Sequence, residues 1–475
     1  MSNKLFSSDT SLVKSQDKNG NFYKTPALQT LENRDGKENK KTQSDQMIKG
    51  ASIIAIGGLI TKILGAFYRI PLTSVLGAEG LAVYQTVFPI YCILLTFSST
   101  GVPTAIAKLI SSGYGERVVL KKSLSLFVPL GFLGSLLMIL LSFPLATLQG
   151  NALATLSYLT LAPAVVCVSV ISCLRGYFQG KMNMTPTAIS QITEQAVKLA
   201  VGLFLCTSVK GSPAVLGALA CASVTISEVV ALAYLYVLFK RREKPRVSTY
   251  FLSFKRLIAT LLPIVISSLL LPLARAFDSF TIVNLLKKYT LHAHSLYGIY
   301  TGSVESVSGV PVAVCYGIAV AVLPTISKKI AEKDFASVRE NIIKSFALTL
   351  FFSTTFGLFL FLFSPIITKI LFSKLSPHLS TVTTRLLSLS FFTVIGLSTV
   401  QTLTSCLVAI GKPYAPCVFL SIGLLAKFIL QIYLLKIPYL NIFGSLYSDI
   451  ACYFVAVFLN LLYIITISRI KRAKY

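Results

Sequence analysis

The chain of 475 residues has no tryptophan, three histidines, and 17 Asp and Glu against 44 Lys and Arg. His292, His294 and His378 are too sparse for a metal site or a catalytic triad, and no other constellation with enzyme spacing accompanies them. No Walker A run is present, so any energy for work comes from an ion gradient, the membrane potential or a substrate gradient. The nine cysteines (Cys92, Cys167, Cys173, Cys206, Cys221, Cys315, Cys406, Cys417 and Cys452) lie in apolar stretches without paired spacing, which excludes a disulfide framework and reads as reduced packing residues. Charge itself is scarce: 13% of residues are charged and 54% hydrophobic, with a mean hydropathy of +0.74. Ordinary soluble domains carry roughly 25% charged residues, so this composition excludes a soluble globular protein. With tryptophan missing, the 21 tyrosines supply the interfacial anchors.

What the chain has in abundance is long apolar blocks, each of about 20 residues or more, the length a helix needs to cross the hydrocarbon core. Twelve such segments follow Lys49, at 50–70, 82–107, 123–143, 153–174, 185–208, 214–239, 257–284, 297–326, 343–363, 383–410, 414–435 and 442–467. Lys and Arg near span ends resist translocation and mark cytoplasmic loops. With the N-terminus inside, cytoplasmic segments carry 32 Lys and Arg and external loops six, which predicts a multi-pass membrane protein with both termini in the cytoplasm. The net charge of +27 is then explained by topology and anionic headgroups, without nucleic acid. Residues 1–48 are polar and nearly charge-balanced and read as a disordered cytoplasmic tail.

The basic run from Lys240 to Arg246 leads into a linker, 241–256, that divides an N-terminal six-helix lobe (49–240) from a C-terminal one (257–475). The halves repeat one another. Lys49 and Arg69 have the spacing of Lys255 and Arg275; Pro103-Thr104 with Lys108 matches Pro324-Thr325 with Lys329; Ser172-Cys173-Leu174, Gly180-Lys181, Pro186 and Lys198 match Ser405-Cys406-Leu407, Gly411-Lys412, Pro416 and Lys427. An even number of spans per half makes this a parallel repeat, an arrangement of transporters that rock two bundles about a central site. The predicted fold is therefore all-α and integral to the membrane, with two six-helix lobes around a central cavity.

Charges inside the spans are costly, about 2.5–3.5 kcal/mol each at the bilayer centre, and should face a cavity or one another. They are Lys62, Arg69, Lys198, Arg275, Arg385 and Lys427 against Glu194, Glu228, Asp278, Glu305 and Asp449. Lys62 and Arg69 fall on one face of span one, and Arg275 is the repeat counterpart of Arg69, so both lobes present cations to one cavity. A guanidinium is a good bidentate partner for phosphate. Local spacing predicts the pairs Arg275–Asp278 and Glu194–Lys198. Lys427 has Gly423 where that acid would stand and needs a partner from another helix or from a ligand. Glu305, in the small and polar run Gly302 to Pro311, faces the cavity in this reading and could bind a coupling cation or proton. Glu228 and Asp449 read as packing or interfacial charges.

The run Leu64-Gly65-Ala66-Phe67-Tyr68-Arg69-Ile70-Pro71-Leu72, followed by Leu76-Gly77-Ala78-Glu79-Gly80, Tyr84-Gln85, Pro89-Ile90-Tyr91, Gly101-Val102-Pro103 and Ala107-Lys108, resembles the start of the bacterial stage V sporulation protein B and polysaccharide-exporter group. That group is similar to the MurJ-type lipid II flippases of the multidrug/oligosaccharidyl-lipid/polysaccharide (MOP) superfamily. The resemblance implies a MOP/MATE-like fold in the bacterial plasma membrane and alternating access. It also implies a polyprenyl-pyrophosphate-linked saccharide as substrate, either lipid II or a polysaccharide precursor. Arg69 falls where the family places a cavity arginine, and Asp278 matches an acid common in span seven. The expected binding set is Arg69, Arg275, Lys62, Glu305, Asp278 and Lys427, with no enzyme activity, no metal and no cofactor beyond a coupling cation or the membrane potential. Partners are the lipid-linked saccharide, membrane lipids and envelope-synthesis proteins. The alternative is a cation-coupled multidrug antiporter on the same fold, in which Asp278 and Glu305 dominate.

Overall fold

The computed structural model describes the backbone of residues 15–16, 22–23, 26–96, 101–111, 114–242 and 254–472, and most side chains between 53 and 466. Residues 1–52 form a unit of their own. There β1 (Ser15–Gln16) pairs antiparallel with β2 (Phe22–Tyr23), and helix α1 (Pro26–Thr96) begins. Composition predicts a disordered tail over 1–48; the described backbone is helical from Pro26, where Leu, Glu, Gln and Lys are good helix formers. Its side chains lie outside the described residues, as does most of the basic linker 241–256.

From Ile53 onward the described residues are helical: α2 (Val102–Ser111), α3 (Glu116–Leu140), α4 (Ser142–Leu148), α5 (Thr155–Gly180), α6 (Thr185–Ser208), α7 (Pro213–Arg242), α8 (Phe254–Leu286), α9 (Ala293–Gly298), a π-helical segment (Ile299–Val304), α10 (Glu305–Ala331), α11 (Phe335–Leu371), α12 (Pro377–Ala409), α13 (Tyr414–Leu434) and α14 (Phe443–Arg472). Ten helices among the described residues are long and apolar enough to cross a membrane, two fewer than the twelve segments expected. The difference has two sources. The first two segments form one helix, bent at Gly77, whose φ of 67° and ψ of 178° are open only to glycine. The stretch Ile56–Thr96 has 41 residues, about 60 Å of helix and twice the hydrocarbon thickness, so each arm of the bend is of membrane length. The second is α6, 24 residues long, whose polar middle from Gln191 to Lys198 lowers its hydropathy.

The duplication is visible in the packing. In the first half α5 packs on α2, α3 and α7, and α6 on α7; in the second, α12 packs on α10, α11 and α14, and α13 on α14. Apolar clusters fill both halves, with Tyr68, Tyr84, Tyr158 and Leu161 in the first and Ile282, Leu296, Leu386 and Leu446 in the second, the latter also taking in Ala78 and Ala82 of α1.

Besides the packing of α2 on α8, the lobes meet at the end that the charge asymmetry assigns to the outside. The α1 arm beyond Gly77 runs so close to α9 and the π segment that a Cβ on Gly302 would stand 2.3 Å from Leu81. Gln149, wholly buried, donates to the Thr86 carbonyl (2.9 Å) and to Ser279 Oγ (2.8 Å), and accepts from Tyr158 (2.6 Å). Asn284 donates to the Leu148 carbonyl (2.6 Å), Ser74 to Leu371 (3.1 Å) and Lys287 to Gly150. The Gln149 bonds are the buried ones, where a polar group left unpaired costs about 1–3 kcal/mol, and with the more exposed contacts they clasp the lobes at that end.

Candidate functional site

The site begins at Pro89 in the second arm of α1. A proline inside a helix has no N–H, so the carbonyl four residues earlier loses its partner. That carbonyl, on Gln85, accepts from Tyr297 Oη of the other lobe at 2.9 Å, while Gln85 Nε2 donates to the Thr301 carbonyl at 3.1 Å. These bonds fix α1 against the π segment. A cleft opens beside them, lined by Arg69, Phe88 and Cys92 of α1, Arg275 and Asp278 of α8, and Glu305 at the start of α10. It adjoins a cavity of about 120 Å³ in the C-terminal lobe that shares Arg275, Asp278 and Glu305 and adds Lys427 of α13 and Asp449 of α14.

Five predicted residues, Arg69, Arg275, Asp278, Glu305 and Lys427, therefore line two adjoining spaces. The side chain of Lys62 lies outside the described residues. The pairings differ from those the local spacing predicts. Arg275 does not pair with Asp278 three residues on; its Nη2 lies 3.8 Å from Glu305 Oε2. Asp278 turns instead to Lys427, whose Nζ is 2.8 Å from Asp278 Oδ2 and 2.7 Å from Asp449 Oδ1. Tyr300 donates to the other Asp449 oxygen. Asp449, read from sequence as a packing charge, thus belongs to the cluster, and Lys427 finds its partners on other helices.

Arg69 is held differently. Its Thr73 neighbour donates to its carbonyl (2.9 Å), its guanidinium carbon sits 5.5 Å from the centre of the Phe88 ring, and among the described residues no carboxylate is within ion-pair distance of it. An aromatic face stabilises a cation without neutralising it, so the charge stays available to an anion. Among the described residues, no three His, Cys, Asp or Glu side chains come together to hold a metal ion.

The buried charges of the N-terminal lobe stand apart from the cleft contacts. Glu194 pairs with Arg175 (3.2 Å) in place of Lys198, and Arg175 Nε also donates to Ser190 Oγ at 3.0 Å. From sequence Arg175 reads as a cytoplasmic loop residue because the apolar block ends at Leu174; α5 in fact continues to Gly180 and buries it. Tyr91 donates to Glu228 Oε1 at 3.0 Å, and Arg385 is exposed on α12.

Two parallel-repeat helical lobes around a charged cleft define an all-α integral membrane protein. The chain belongs to the polysaccharide biosynthesis protein family, which it matches over residues 47–330; residues 263–433 also match the MatE family. It is similar to stage V sporulation protein B of Bacillus subtilis (strain 168), 26% identical over 69% of this chain and 67% of that protein. It is likewise similar to lipid II flippase MurJ of the same organism, 26% identical over 65% of this chain and 62% of that one. The chain thus spans about two thirds of the length of these relatives. Among solved structures, the inward-facing conformation of a multidrug resistance MATE family transporter of the MOP superfamily superposes with a TM-score of 0.73 at 15% identity, over 91% of this chain and 100% of that one, a likeness of fold alone.

Proposed function

We propose that this protein is an alternating-access flippase that moves a polyprenyl-pyrophosphate-linked saccharide, lipid II or a polysaccharide precursor, across the plasma membrane for cell-envelope synthesis. The observation that carries the reading is that Arg69 from one lobe and Arg275 from the other line the same cleft. A pyrophosphate carries more than one negative charge and enters an apolar bundle only against cations. Two guanidiniums on separate lobes hold it together while the lobes are joined and weaken their joint grip when the lobes part. The cavity of about 120 Å³ is smaller than the roughly 300–1,000 Å³ of ordinary ligand sites, so the saccharide loads after the lobes open at the end opposite the Gln149 clasp, the cytoplasmic one in the charge-based topology. In this reading a cation gradient or the membrane potential drives the cycle, both termini are cytoplasmic, and envelope-synthesis proteins supply and receive the substrate.

The rival reading, a cation-coupled multidrug antiporter, needs acids free to meet a cationic drug. Asp278 and Asp449 are both engaged by Lys427, and Glu305 faces Arg275, whereas Arg69 has no carboxylate within ion-pair distance among the described residues. The test is native mass spectrometry of the purified protein with undecaprenyl-pyrophosphate-linked saccharide. Wild type should bind it selectively over bulk anionic lipid, and Arg69→Ala and Arg275→Ala should each lose about 10- to 100-fold, the worth of one charge-assisted contact. Equal, unselective binding by all three proteins would discard the flippase reading.

A further inference from the structure

Two ion-paired groups share the cleft and are held to very different degrees. Lys427 sits at hydrogen-bond distance from both carboxylates, with all three side chains no more than 10% exposed. The Arg275–Glu305 contact is 3.8 Å long, too long for a hydrogen bond, and its side chains are 51% and 25% exposed to the cleft. Among the described residues neither Arg275 nor Glu305 has another ion-pair partner. Glu305 also follows directly on the π-helical turn Ile299–Val304, a wider and rarer backbone geometry found often at functional sites.

To a guanidinium, a carboxylate and a phosphate oxygen are occupants of the same kind. Asp278 and Asp449 are committed to Lys427, which leaves Glu305 as the cleft acid whose contact can be exchanged. We propose that Glu305 is the built-in counter-ion of Arg275: a phosphate of the substrate displaces it on loading, and its return to Arg275 helps expel the phosphate on release. This rests on the reading of Arg275 as a phosphate ligand given above. The arrangement makes Glu305 a residue that sets affinity and release. It predicts a split that a merely structural acid would not produce, with tighter binding and slower turnover when its charge is removed.

The experiment uses the full chain in lipid nanodiscs, with inorganic pyrophosphate as the probe in calorimetry and lipid-linked saccharide flipping in liposomes as the turnover assay. Glu305→Gln, equal in size and without charge, should bind pyrophosphate about tenfold more tightly, a modest figure because the pair is part-exposed and screened. Its flipping rate should fall at saturating substrate. In an Arg275→Gln background the same change should shift affinity by less than about twofold, because the competition has gone. Glu332→Gln, which removes an acid from the distant loop beside Lys329, should leave binding at the wild-type value. Glu305→Asp, still charged and one methylene shorter, should fall between wild type and Glu305→Gln and serves as well if the glutamine variant folds poorly. Unchanged or weaker pyrophosphate binding in Glu305→Gln, or a gain that persists without Arg275, overturns the proposal. Loss of lipid selectivity with the Glu305 effect intact would instead remove the flippase reading and leave the anion exchange standing. No pyrophosphate binding by any variant would remove both.

Discussion

Each lobe buries a lysine at the same point of its repeat, Lys198 on α6 and Lys427 on α13, and the two environments have little else in common. Lys427 holds two carboxylates within 2.8 Å. Lys198 is 8% exposed and has no carboxylate within ion-pair distance among the described residues; its ammonium lies 5.6 Å from the centre of the Tyr68 ring. Two exchanges separate them: Leu72 stands at the repeat position of Asp278, and the other difference lies one turn before the lysine. Where α6 has Glu194, α13 has Gly423, and a Cβ there would stand 2.6 Å from the Cys452 carbonyl oxygen. The missing side chain lets α14 approach α13, and that approach brings Asp449 to Lys427. In the N-terminal lobe the glutamate is present but is captured by Arg175. A duplicated scaffold has therefore paired the cleft charges of one half among themselves, while the other half offers the cleft Arg69, which has no carboxylate within ion-pair distance among the described residues.

The sharpest way to break this contrast is to remove the two lysines in turn. Lys427→Met leaves Asp278 and Asp449 buried side by side without a cation, and removing one partner of a buried ion pair costs about 3–5 kcal/mol. Lys198→Met leaves no contacting carboxylate orphaned and should cost under about 1 kcal/mol. Thermal unfolding in detergent should separate the two clearly; equal losses would mean that Lys198 has an ionic role its geometry does not reveal. Neutralising the whole clamp at once, with Lys427→Met, Asp278→Asn and Asp449→Asn combined, should recover most of the stability lost by the lysine change alone.

Next in size is the glycine that creates the difference. Gly423→Ala drives a methyl group against a backbone carbonyl, which cannot swing aside as a side chain would, and overpacking of this kind costs about 1–3 kcal/mol. It should also loosen the Lys427–Asp449 contact, read as faster hydrogen exchange along α13 and α14. Loss of stability with no change in exchange on those helices would separate close packing from ion pairing.

The cost of charge in a membrane explains what could be read from sequence. Arg69, Arg275, Asp278, Glu305 and Lys427 stood out because an apolar span does not carry an ion without a use for it, and the apolar block lengths alone outlined the helices. The partner of each ion was not legible. Spacing within one helix suggested Arg275–Asp278 and Glu194–Lys198, whereas the real partners come from neighbouring helices: Glu305, Lys427 and Arg175. Cross-helix contact depends on interhelical distance, here set by residues such as Gly423 and Gly302 whose effect is felt on another helix. Arg175 was hidden by its position at the end of an apolar block, where a charge ordinarily marks a loop. No signal in the sequence pointed to it, because the spacing already gave Glu194 a partner in Lys198.

The smallest expected effect tests whether the asymmetry extends beyond the cleft to the helix starts. Counterpart helices α3 and α11 begin differently: α3 follows Gly115 with no side-chain cap, while α11 starts at Asp334, whose carboxylate accepts from the Ser337 N–H at 3.1 Å. Hydrogen bonding from the Ser337 side chain, then from its backbone N–H, with Lys329 nearby, holds the Asp334 carboxyl below the usual carboxylate range. A folded-state value below the unfolded one means that the cap contributes fully above the ordinary aspartate range and is lost as pH falls through the depressed value. Because Asp334 lies in the solvent-facing loop, the effect should be local. Asp334→Ala should raise hydrogen exchange in the first turn of α11 to the level of the first turn of α3 at neutral pH, while the ion clamp around Lys427 keeps its protection. If the first turn of α11 stays protected without Asp334, the packing of α11 on α10 and α12 holds that end, and the difference between the two helix starts has no energetic consequence.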